Sequence, residues 1–161
     1  ARYKVAYCYY LDSPDARLDQ TETYEAINAL SEFISLYPES DRVADCRKYL
    51  FEMEDKLAYK ELLSSKLYYN LGLYGGNNYR ACVTTAENAL KDFPETKYRD
   101  DLVFVILKAK SKEASLSVEE KKRERYSEVI DEYYRYANAF PNGKHIKEAN
   151  RILREAKNIV K

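Results

Sequence analysis

The stretch KDFPETKYRD, residues 91–100, decides the fold. It reads as a helix that runs up to an aromatic, stops at Pro94 and restarts within a few residues. Two relatives occur elsewhere, SLYPESDRVAD at 35–45 and NAFPNGKHIKE at 138–148. The residue before a proline is pushed out of the α region, so each helix ends just ahead of its proline. Ser40 and Thr96 are placed to N-cap the helix that follows.

Aligning Pro38, Pro94 and Pro141 exposes a shared apolar spacing. Ahead of Pro94 stand Tyr79, Val83, Ala86, Leu90 and Phe93, in alternating steps of four and three. The same steps give Tyr126, Ile130, Tyr133, Ala137 and Phe140 before Pro141, and Thr23, Ile27, Leu30, Ile34 and Tyr37 before Pro38. Such spacing lays one apolar stripe along one helix face. Beyond the prolines it resumes at Val43, Cys46, Leu50 and Met53, at Leu102, Ile106 and Ala109, and at Ile146, Ala149, Leu153 and Ala156. Each proline is therefore a joint between two amphipathic helices.

Helices are expected at 2–11, 20–37, 41–71, 78–92, 97–115, 118–139 and 144–160. No breaker falls between Asp41 and Leu71, which implies one long helix or two in tandem. Ser117 with Glu120 offers a capping box for the sixth helix. DSPDARLD at 12–19 reads as an exposed polar loop. Recurring helix-turn-helix units cannot bury their apolar faces alone, so neighbours must stack. The expected fold is all-α: an α-α superhelix, a tetratricopeptide-like solenoid of about seven helices. Residues 1–161 form a single array, with approximate units 1–40, 41–96 and 97–161. The proline spacings of 56 and 47 residues exceed the ~34 of a simple tetratricopeptide repeat.

Composition agrees. Lys+Arg and Asp+Glu both total 27, which argues against a nucleic-acid partner. The longest apolar run, Leu102–Leu107, is far short of the ~20 residues of a membrane span. Glycine and proline, four each, favour helices over a β-rich fold. The chain opens inside an apparent helix with neither an initiator Met nor a signal peptide. It is expected to be a piece of a longer protein, with any targeting signal upstream.

No reactive constellation emerges. Cys8, Cys46 and Cys82 lack CxxC spacing and fall at apolar helix positions, where a thiol packs much like alanine. His145 follows the third joint, where a solvated position is expected, and nothing joins it to make a zinc site. Gly75-Gly76 is not followed by the Lys-Ser/Thr of a phosphate loop. EEKKRER at 119–125 has glutamates in register with its basic residues and reads as a solvated face. No nucleophile–base–orienter set is found, and no cofactor, metal or catalytic residue is expected.

The 17 tyrosines are the informative excess. Tyr37, Tyr79, Tyr126 and Tyr133 lie on the apolar stripes and are expected in the core. Tyr9 and Tyr10, Tyr68 and Tyr69, and Tyr134 and Tyr136 come in pairs or near-pairs, so one of each set should face away from it. Core packing is the default for any single tyrosine. An exposed one on a concave solenoid surface can anchor a partner. Tyr68, Tyr69, Tyr134 and Tyr136 are the candidate protein-binding residues.

Residues 68–94, YYNLGLYGGNNYRACVTTAENALKDFP, resemble a tetratricopeptide repeat. Gly72 matches its turn glycine, Cys82 replaces the usual alanine, and GGNN lengthens the turn by about four residues. The order of the pieces resembles one family, the outer-membrane protein assembly lipoproteins BamD (YfiO). Three features carry this: YPESDRVADCRKYLFEMEDKLAYKELLSSKLYYNLG at 37–72, NALKDFPETKYRDDL at 88–102, and the polar insertion at 12–19 ahead of YEAINALSEFISLYP. Together they span most of residues 1–153.

The resemblance implies a non-enzymatic lipoprotein on the periplasmic face of the outer membrane. Its anchor and first repeats would lie outside this piece. It also implies a scaffold of the β-barrel assembly machinery that binds the POTRA domains of the barrel component, unfolded outer-membrane proteins, or both. The rival reading is a tetratricopeptide adaptor for another protein or peptide. Such clamps present Lys, Arg and Asn together on the inner helices, a cluster not visible in the sequence.

Overall fold

The computed structural model describes residues 1–161 as seven α-helices without strands. They are α1 (Arg2–Asp12), α2 (Thr21–Leu36), α3 (Val43–Leu71), α4 (Asn78–Asp92), α5 (Arg99–Ser115), α6 (Glu119–Ala139) and α7 (Ile146–Val160). Every expected helix is present, with ends within two residues of the sequence reading. The stretch from Asp41 to Leu71 holds one helix of 29 residues, not two in tandem. The chain divides into two compact units, residues 1–60 and 61–161, and the division falls inside α3.

In the first unit α1 packs on α2 around Ala6, Ala26, Leu30, Phe33, Cys46 and Met53. Small residues at Ala6 and Ala26, both without exposed surface, let the helices approach closely. The loop ahead of α2 is exposed over most of its length but tied down. Ala16 is buried, Gln20 Nε2 donates to the carbonyl of Asp15 (2.7 Å), and Lys56 Nζ donates to Ser13 Oγ (2.7 Å). On the other side of α1, Val5, Cys8 and Leu11 are exposed.

The second unit is built around α5, which packs on α4, α6 and α7. Leu102, Val103, Phe104, Val105, Ile106 and Leu107 are all buried. The longest apolar run is thus a helix covered on every side. Val129, Tyr136, Ala149, Ile152 and Ala156 close the core from α6 and α7.

The three joints share one backbone pattern. The N–H of the residue before each proline donates into the preceding helix: Tyr37 to Phe33, Phe93 to Ala89 and Phe140 to Tyr136. Ser40, Thr96 and Gly143 then donate back to Tyr37, Phe93 and Phe140. Val43, Arg99 and Ile146 donate in turn to the carbonyls of Ser40, Thr96 and Gly143. The φ/ψ values of Tyr37 (−132°, 59°), Phe93 (−128°, 65°) and Phe140 (−135°, 65°) agree closely, outside the helical region as proline requires.

Several side-chain expectations need correction. Ser40 and Thr96 are not N-caps, because α3 and α5 begin three residues beyond them. Their hydroxyls accept from the N–H of Arg42 (3.2 Å) and Tyr98 (3.3 Å), two residues on, and so hold the turn. Ser117 makes no capping box either; Val118 occupies the cap position and the Ser117 hydroxyl donates to the Glu113 carbonyl (2.7 Å).

The buried stripes are centred about one residue earlier than expected. Cys82 and Ala89 are buried, whereas Val83 and Leu90 are half-buried; likewise Ala26 and Phe33 are buried rather than Ile27 and Ile34. Close helix approach selects the smaller side chains at Ala26, Cys82 and Ala89 for the contact line and leaves bulkier ones on its flanks. Tyr37, expected in the core, is 45% exposed, and Cys8 is exposed, unlike the buried Cys46 and Cys82.

Candidate functional site

The second unit carries two adjoining depressions of about 300 Å³ each. The first is lined by Lys66, Tyr69 and Asn70 of α3, by Asp101, Phe104, Val105 and Lys108 of α5, and by His145 and Glu148 at the start of α7. The second continues past Lys112, Arg151 and Glu155. Both share Tyr69, Lys108 and Glu148, so they form one groove with Lys108 at its middle.

Each wall has a local cause. Phe104 and Lys108 are one turn apart on α5, as are Glu148 and Ile152 on α7, so each pair presents on one helix face. Lys108 Nζ sits 4.9 Å from the centre of the Tyr69 ring and 3.9 Å from a Glu148 oxygen. Tyr69 packs edge-on against Tyr79, and burial pushes its phenol above the usual range.

The other end is held by carboxylates at the first turn of α5, where the helix dipole favours negative charge. Asp101 accepts from Lys144 Nζ (2.6 Å) and His145 Nε2 (2.8 Å). Burial alone would raise the Asp101 pKa, but these hydrogen bonds together outweigh it and hold the carboxyl below its usual value. The His145 ring also lies flat on Phe104, with centroids 4.3 Å apart and planes 8° apart. His145 is therefore a packed, hydrogen-bonded wall of the groove rather than the solvated residue expected.

The four candidate tyrosines scatter. Tyr69 alone lines the groove. Tyr68 is half-buried and not part of its lining. Tyr134 is 45% exposed, with Tyr133 against its edge and Lys157 above its ring. Tyr136 has no exposed surface, so it is a core residue and offers no contact to a partner. Its hydroxyl donates to Asp100 Oδ1 (2.8 Å) and accepts from the His145 N–H (3.2 Å). Burial first, and Asp100 second, raises its pKa above the ordinary phenol value.

The groove also assembles what the sequence concealed. Lys66, Asn70, Lys108, Lys112 and Arg151 come from three helices separated by up to 85 positions, yet line one concave surface. This is the Lys/Arg/Asn cluster that the linear sequence does not display. The available signal was the pair Lys108 and Lys112, one turn apart and four residues beyond Phe104 and Lys108 respectively. The lining of the first depression includes no serine, threonine or cysteine. No group of three or more His, Cys, Asp or Glu side chains is placed to hold a metal ion.

The first unit carries a second aromatic surface. Tyr3, Tyr7 and Tyr10 of α1 stack in succession (6.0 and 5.9 Å), and Tyr49 of α3 closes the row 4.3 Å from Tyr10. The Tyr10 hydroxyl donates to Glu52 (2.5 Å); that bond, then burial, pushes the phenol up to about 12.

Fold and surfaces together define an all-α helical-repeat protein with a tyrosine-bearing groove in its second unit and no helix long and apolar enough to cross a membrane. The model of the YfiO family, described as an outer membrane lipoprotein, matches residues 2–81. That segment holds α1, α2, α3 and the first residues of α4, and over it the chain is similar to the YfiO family. No curated protein matches the chain.

Proposed function

We propose that the protein is a non-catalytic scaffold of the outer-membrane β-barrel assembly machinery. In this reading residues 1–161 act as one repeat array. It binds the POTRA region of the barrel component, unfolded outer-membrane proteins, or both. It meets the membrane through a lipid anchor outside this piece, on the periplasmic face. The observation that carries the proposal is the YfiO match over residues 2–81. The helical-repeat architecture and the tyrosine-bearing surfaces support it, because aromatic anchors on rigid helices are what a docking scaffold needs.

Co-purification of the full-length protein from cell envelopes under gentle extraction tests it. Barrel-assembly components are expected to come with it, and their absence would overturn the reading. A second reading, an adaptor for another protein or peptide, is favoured by one observation: Lys66, Asn70, Lys108, Lys112 and Arg151 on one concave surface. Recovery of an unrelated partner without assembly components would select it.

A further inference from the structure

We infer that the groove lined by α3, α5 and α7 is a docking site for an extended protein segment bearing acidic side chains. This deepens the scaffold reading and rests on it for the kind of partner. Positive charge is left over in the groove once its internal pairs are made. Four cations line the groove: Lys66, Lys108, Lys112 and Arg151. Of its three carboxylates, Asp101 is already engaged by Lys144 and His145. Glu148 is shared between Lys108 (3.9 Å) and Arg151 (3.6 Å). Lys66 and Lys112 have no ion-pair partner.

The third carboxylate, Glu155, has no ion-pair partner, so four cations face Glu148 and Glu155 and leave an excess of two positive charges, with the unpaired Lys66 and Lys112 ammonium groups one in each depression. An extended chain sends alternate side chains to the same side, so two acidic residues at i and i+2 or i+4 can meet cations along one line. The Tyr69 ring and the Phe104–His145 stack supply rigid flat walls for whatever lies between them. Nucleic acid fits less well, because Glu148 and Glu155 sit inside the groove and the chain carries no net positive charge.

The test uses the whole chain and a fluorescent ten-residue peptide alternating glutamate with leucine, both termini blocked so that only side-chain carboxylates can act. Its controls are the lysine–leucine counterpart and a labelled ten-nucleotide single-stranded DNA. Anisotropy should show saturable binding of the glutamate peptide that weakens at least tenfold in K66E/K112E. Both lysines are exposed, and circular dichroism of the variant should match the parent. No binding of the glutamate peptide, equal binding of either control, or an unchanged affinity in K66E/K112E would each overturn the inference. Failure here beside successful envelope co-purification removes only the acidic docking site. Success here without assembly components in the co-purification removes only the assembly-machinery reading.

Discussion

The first and third joints have the same backbone and hold it with different chemistry. Two residues past the proline stands Ser40 in one and Gly143 in the other; four residues past it stand Arg42 and His145. In the first joint the Arg42 N–H is taken by the local Ser40 hydroxyl at 3.2 Å. In the third the His145 N–H is taken by the Tyr136 hydroxyl, which reaches up from the preceding helix. A Cβ on Gly143 would lie 2.6 Å from that hydroxyl. Glycine is present there because the tyrosine fills the place a serine side chain holds elsewhere. One missing side chain thereby converts a local turn into a junction that also grips α5. The Lys144 N–H donates to Asp100 (3.1 Å), while Lys144 Nζ and His145 bond Asp101.

The comparison breaks most sharply at the shared hydroxyl. Tyr136→Phe removes the hydrogen bond to Asp100 and orphans the His145 N–H. Urea unfolding should show a loss of about 1.5–3 kcal/mol, as for buried bonds to charged groups. Gly143→Ser should cost about 1–3 kcal/mol by overpacking, although serine is native at the matching position of the first joint. Combining Tyr136→Phe with Gly143→Ser sharpens the test: losing the phenol relieves the closest contact of the new Cβ, leaving those to Phe140 Cβ (2.8 Å) and Asp100 Oδ2 (3.0 Å), and frees the His145 N–H for the introduced serine hydroxyl. The loss in the double variant should fall below the sum of the singles by about 0.5 kcal/mol or more, and strict additivity would refute the exchange.

A smaller effect should follow pH. The Asp101 carboxyl is held below its ordinary value in the folded state, so its contribution is complete above the unfolded carboxylate pKa and is lost as pH falls through the folded one. Stability measured between pH 6 and pH 3 should therefore drop less steeply in Asp101→Asn than in the parent. Smallest of all, Ser40→Ala should change stability by less than about 1 kcal/mol, because its hydrogen bond is local and exposed.

The joints were legible in the sequence because proline acts on its immediate neighbours and needs no tertiary context. Helix ends and the turn at Gly72 (φ +58°) could be read for the same reason, whereas the absence of a breaker between Asp41 and Leu71 left one helix and two in tandem equally open. Side-chain roles were harder. Tyr136 looked like the spare member of a tyrosine cluster, and only the approach of Asp100, 36 positions earlier, shows it to be a core hydrogen-bonding group. His145 looked solvated because the ring that covers it, Phe104, is 41 positions away. The cation cluster was invisible for a related reason. Lys66, Lys108 and Arg151 sit among neighbours of mixed charge, and only the stacking of α3, α5 and α7 sets them side by side.

The Tyr136 hydroxyl also makes this molecule its own clock. Its proton is committed to Asp100 from a side chain with no exposed surface, so water can exchange it only when α7 and its joint lift away from α5. A single slowly exchanging phenolic proton in a proton spectrum would time that opening directly. It would be absent in Tyr136→Phe and faster wherever a variant loosens the third joint, and occupation of the neighbouring groove should be read out as a change in its rate.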